Sequence, residues 1–67
     1  MSLAKVIEVI AEGSSIEKAI ENAVVQATKT VQNIKSINCE NIQGIVTNKK
    51  VEKYRVNAKV TFVIEDS

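Results

Sequence analysis

Sixty-seven residues make one domain, 1–67, and a chain this short buries only about 60% of the surface its unfolded form exposes, so a single core leaves it marginally stable. One cysteine, Cys39, and no histidine exclude an intrachain disulfide and leave no ligand set for structural zinc, so association between copies is the remaining common remedy. A net charge of +1 draws the chain toward neither nucleic acid nor membrane, and no apolar run spans a bilayer or resembles a signal peptide, which points to a cytoplasmic protein.

The first run, Leu3 to Ala11 (LAKVIEVIA), is rich in β-branched residues. Val6 and Ile10 fall on one face and Ile7 and Val9 on the other, which predicts a strand apolar on both sides. A lone sheet with one helix has no layer for the second side, so part of this set is expected to meet a neighbouring subunit. Glu12-Gly13-Ser14 breaks the strand. Ser14 and Glu17 have the S-x-x-E spacing of a capping box, which starts a helix at Ser15.

Ile16, Ala19, Ile20, Ala23, Val24, Ala27, Val31 and Ile34 follow at three- and four-residue steps, predicting a helix that fades near Ile34 or Lys35. Ala19, Ala23 and Ala27 form a low ridge that lets the helix approach the sheet closely. Val25 lies opposite this stripe and is a candidate subunit contact. Glu17, Lys18, Glu21, Lys29 and Gln32 make a solvated face.

Ser36 to Thr47 (SINCENIQGIVT) predicts the second strand, but its alternation slips between Cys39 and Ile42. A bulge at Glu40 to Asn41, or at Gly44, restores the register. Asn48-Lys49-Lys50 is a turn short enough to imply an antiparallel hairpin. The last strand, Val51 to Ile64, alternates cleanly: Tyr54, Val56, Ala58, Val60, Phe62 and Ile64 against Lys53, Arg55, Asn57, Lys59 and Thr61. The class is therefore α+β, with β-α-β-β order and a three-stranded antiparallel sheet, 1-3-2, wrapped on one helix.

Catalysis has little to work with. Glu8, Glu12, Glu40, Glu52, Glu65 and Asp66 form no recognisable acid/base pair and are read as charge balancing. There is no Ser/His or Cys/His system, and Gly13 and Gly44 are the only glycines, so no phosphate-cradling loop exists. The basic row Lys53, Arg55 and Lys59 lacks interleaved aromatic residues for base stacking, which argues against RNA. Arg55 stands apart because a guanidinium bonds carboxylates or phosphates through several donors and lies flat on rings.

Across nearly the whole chain, KVIEVI (5–10), SIEKAIENAV (15–24), ATKTVQNI (27–34), Gly44 and YRVNAKVTF (54–62) resemble the dodecins. The resemblance implies a hollow homododecamer that binds or stores flavins: FMN, riboflavin or FAD. The chain departs from the family pattern at two places. Ser36 stands where flavin-binding members carry the tryptophan that stacks on the isoalloxazine ring, and Arg55 stands where they carry a glutamine that bonds the ring edge. The resemblance therefore implies a small-ligand shell whose pocket is lined by Ser36, Gln43 and Arg55, holding a flavin or another anionic molecule. The alternative is a structural or ion-associated shell in which a carboxylate of a neighbouring subunit binds Arg55.

Overall fold

The computed structural model describes the backbone of residues 2–65 and the side chains of residues 3–64; Asp66 lies outside the described residues. Four elements follow in order: β1 (Ser2–Gly13), α1 (Ile16–Thr28), β2 (Ile34–Thr47) and β3 (Lys50–Glu65). The sheet order is β1-β3-β2, and both neighbours run antiparallel to β3. The expected class and strand order are what the chain forms, with β3 central because a helical crossover leaves room for one strand between β1 and β2.

The even positions of β3 carry the core. Val56, Ala58, Val60 and Phe62 are buried, together with Ala11 and the helix alanines Ala19, Ala23 and Ala27. Those three alanines are 0, 0 and 1% exposed, so the low ridge lets the helix backbone settle onto β1 and β3. Gly13 shows how close the contact is. A Cβ there would lie 2.5 Å from the Ala19 backbone nitrogen. Gly13 remains within β1 and permits this approach, where the sequence reading took it for a strand breaker.

The helix begins and ends elsewhere than its pattern suggests. Ser15, not Ser14, is the N-cap: it is extended, and its Oγ accepts from the Lys18 N–H at 3.0 Å. The C-terminal end comes at Thr28, short of Ile34. Thr28 Oγ1 bonds the Val25 carbonyl at 2.7 Å and Thr30 Oγ1 the Ala27 carbonyl at 3.2 Å, local bonds that disfavour continuing a helix. Asn33 then turns the chain with φ 60°. Its carbonyl accepts from the Val63 N–H at 3.1 Å, which anchors the link to β3. Ile34, taken for the end of the helical stripe, opens β2 opposite Phe62.

The slip in β2 is a bulge. The register shifts between Cys39 and Asn41, so Ile37, Cys39 and Ile42 all share the helix-facing side, opposite Val60, Ala58 and Val56. Gly44 pairs regularly with Tyr54; two further shifts lie between Ile34 and Ser36 and between Ile45 and Val46. Asn48 and Lys49 both have positive φ, 52° and 65°, the signs of a type I′ turn joining Thr47 to Lys50.

Candidate functional site

Strand parity gives the sheet two unlike faces. One meets the helix. On the other, odd residues of β3 are flanked by their partners in rows: Val6–Thr61–Ser36, Glu8–Lys59–Asn38, Ile10–Asn57–Asn41 and Glu12–Arg55–Gln43. Among the described residues, no element covers that face. Val6 is 56% exposed and Ile10 65%, more than isolated apolar side chains need be when a β-branched strand has a core to join.

The row that seemed basic in sequence is paired with carboxylates within the chain. Lys59 Nζ lies 3.3 Å from Oε1 of Glu40, the residue between Cys39 and Asn41 where the register shifts. Glu12 takes both remaining cations. Arg55 donates from Nε at 2.8 Å and Nη2 at 2.6 Å to Glu12 Oε2, while Lys53 Nζ lies 2.9 Å from Oε1. The Lys53 ammonium and the Arg55 guanidinium bonded to Glu12 hold its carboxyl below the usual carboxylate range. Glu12 is fixed in turn by its backbone, whose carbonyl accepts from Asn22 Nδ2 at 2.8 Å.

The three residues singled out from the sequence are not all together. Gln43 is the cross-strand partner of Arg55, so these two share a row. Ser36 faces Thr61 instead, six residues along β3 from Arg55, or roughly 20 Å at strand rise. Both Ser36 and Gln43 are exposed. Arg55 leans away from Gln43, across β1. With Val9, Ile10, Ala11, Glu12, Asn22, Val25 and Gln26 it lines an open groove of about 720 Å³ at the free edge of β1. Val25, 53% exposed, is the helix side of that groove.

Glu12 escaped the sequence reading as the carboxylate that joins Lys53 and Arg55. The only sequence signal was that Glu12 shares the parity of Glu8 and Ile10. Its pairing with a residue 43 positions away depends on the β1–β3 register. Cys39, half-buried on the other face, packs against the core and takes no part.

Comparison with known proteins follows the same outline. A family model described as Dodecin matches residues 3–65. The tt0972 protein from Thermus thermophilus is 25% identical, with TM-score 0.91 and 100% of both chains covered. A dodecin from Streptomyces davaonensis, 18% identical, superposes with TM-score 0.90 over 97% of each chain. One from Streptomyces coelicolor, 24% identical, does so with TM-score 0.88 over 98% of this chain and 96% of the other. The two Streptomyces likenesses are likenesses of fold. No curated protein matches the chain significantly.

Proposed function

The chain belongs to the dodecin family, and from that premise we propose that copies of it assemble, as a dodecamer, into a hollow cytoplasmic shell that holds a small molecule on the open face of its sheet. Binding rather than catalysis is the activity. The uncovered outer face carries this reading: Val6 and Ile10 stand exposed beside a row of amide side chains, Asn38, Asn41, Gln43 and Asn57. Apolar surface of this kind is used in contacts with other molecules, and amides on it supply orienting hydrogen bonds.

The pocket residues of this reading are Ser36, Gln43 and Arg55, and the ligands are FMN, riboflavin, FAD or another small anionic molecule. Because Ser36 lies roughly 20 Å along the sheet from the other two, they line one pocket only when neighbouring copies bring them together. Flavin stacking has no indole to rest on. Aromatic stacking adds about 1 kcal/mol beyond area burial, so flavin binds this shell more weakly than it binds members carrying the tryptophan.

Titrating protein into riboflavin and FMN while following flavin fluorescence tests the reading. Saturable quenching supports it, and unchanged fluorescence at high protein concentration removes flavin from the list. The Ser36→Trp/Arg55→Gln double variant, still assembled, is expected to quench more tightly by about tenfold, the equivalent of 1.4 kcal/mol.

A second reading has its own observation. The Arg55 guanidinium is bonded internally, to Glu12 of the same chain, as a structural or ion-associated shell requires of it. The sequence reading placed that carboxylate on a neighbouring subunit. An assembled protein whose stability depends on Glu12 and Arg55 and which ignores flavin fits this second reading.

A further inference from the structure

We propose that Glu12 is the specificity-determining residue of the outer face. It is an internal anion that occupies the receptor made by Arg55 and Lys53, so this site takes an uncharged hydrogen-bond acceptor from its ligand, such as a ring carbonyl, and turns away phosphate and carboxylate groups. The inference rests on the reading of the outer face as the ligand side and narrows the ligands proposed there to those that present an uncharged acceptor to Arg55, which removes the other small anionic molecule.

An arginine meets an oxyanion best along an edge that presents two parallel N–H groups. Here the Nε–Nη2 edge is already spent, both groups reaching Glu12 Oε2 at 2.8 and 2.6 Å. The Lys53 ammonium directs one of its three donors to the other oxygen at 2.9 Å. Both oxygens of Glu12 are therefore engaged.

A ligand anion would have to displace a carboxylate that never leaves by diffusion, and a group tethered in this way competes at a high effective concentration. The carboxylate is also held in place, because Gly13 seats the end of β1 against the helix and Asn22 bonds the Glu12 carbonyl. Arg55 nevertheless keeps the donors of Nη1, and about two-fifths of its side chain is exposed, 41%. Those donors suit a neutral, acceptor-bearing ring edge.

The test follows the Arg55 side-chain N–H resonances by NMR in the assembled protein. Inorganic phosphate is titrated into the wild type, Glu12→Gln and Glu12→Asp. Expected is no saturable shift in the wild type or in Glu12→Asp, which keeps the charge, and a saturable shift in Glu12→Gln with at least about tenfold higher affinity, the effect of removing one charge a few ångströms away. An arm on the wild type alone uses sulfate, which stays anionic in acid: Arg55 responds to it below the titration of Glu12 and not above. The sulfate arm is read where light scattering finds the wild type still assembled, and a saturable phosphate shift in the wild type overturns the anion half even if Glu12→Gln does not assemble.

Riboflavin, whose ring carries carbonyls and no phosphate, is expected to shift Arg55 in the wild type. Phosphate moving Arg55 equally in wild type and Glu12→Gln, or in neither, overturns the anion half of the assignment. Riboflavin leaving Arg55 unmoved while still quenched overturns the acceptor half alone. Riboflavin neither quenched nor shifting Arg55 overturns the acceptor half and removes flavin from the proposed function as well. The phosphate and sulfate arms read Glu12 in either case.

Discussion

At the scale of single residues, the two glycines make opposite demands. A Cβ on Gly13 would sit 2.5 Å from the Ala19 nitrogen and 2.8 Å from the Lys18 carbonyl carbon, both backbone atoms that move only with the helix. Gly13→Ala is expected to destabilise the protein by about 2–3 kcal/mol, the upper range for overpacking. At Gly44 a Cβ would meet only the flexible Val51 side chain, at 3.4 Å, so Gly44→Ala should stay within about 0.5 kcal/mol of wild type. Urea midpoints at one fixed protein concentration check both. Glu12 sets a pH dependence with a definite sign. Its folded-state pKa is depressed by Lys53 and Arg55; the stabilisation is therefore complete above the unfolded carboxylate pKa and is lost as pH falls through the lower folded value. Glu12→Gln is expected to flatten this acid limb while leaving the neutral-to-alkaline slope unchanged. An acid limb as steep in the variant as in the wild type would assign the titration to other carboxylates.

Elements show where a local rule is obeyed at a cost and where the pattern misleads. The β2–β3 turn places Lys49 at φ 65°, a left-handed conformation that costs a side-chain-bearing residue about 1 kcal/mol. Lys49→Gly relieves it, offset in part by the larger unfolded-state entropy of glycine, for a net gain of about 0.5 kcal/mol. In a domain this small that raises Tm by roughly 2–4 °C, whereas Lys49→Val, β-branched at the same φ, is expected to lower it. Thermal unfolding of the three proteins decides. β3 was legible to within one residue at each end, because its alternation is unbroken from Tyr54 to Ile64. The β2 bulge was legible too, since a slipped period leaves a hydrophobic residue on the wrong side until one extra residue is inserted. The end of the helix was not. Val31 and Ile34 continue the helical spacing, and the signals that override it, two threonine hydroxyls and a left-handed Asn33, are weaker in sequence than glycine or proline. The same division holds at the candidate site. Arg55 was visible as a cation on a clean strand, and Gln43 was named with it as a pocket residue without the pairing that places it there. Glu12 required the β1–β3 register, and the distance from Ser36 to both required the sheet.

The whole molecule is too extended for a free-standing chain of its length. Its radius of gyration is 13.9 Å, against about 11 Å for a compact domain of this size. Its accessible surface is 4959 Å², where a monomer of this mass exposes about 4,200 Å². The core explains why. Of the eight buried apolar residues among those described, five are alanines: Ala11, Ala19, Ala23, Ala27 and Ala58. Val56 and Val60 are the largest fully buried side chains. A helix resting on an alanine ridge packs tightly but removes little apolar area from water, and the larger groups Val6, Ile10, Val25, Ile42, Val46 and Val51 remain half or more exposed. In the proposed assembly, burying them between copies supplies stability, so dissociation and unfolding should be one process. On that argument the unfolding midpoint of the wild type rises with protein concentration. Ile10→Lys places a charge in the middle of the uncovered face and removes about 2 kcal/mol of burial from every equivalent contact. It is expected to reduce the mass found by light scattering and to lower the midpoint at all concentrations, while Glu17→Gln on the solvated side of the helix alters neither. A wild type that is monomeric with a concentration-independent midpoint would mean that the alanine-lined core suffices by itself, and assembly would lose its physical basis.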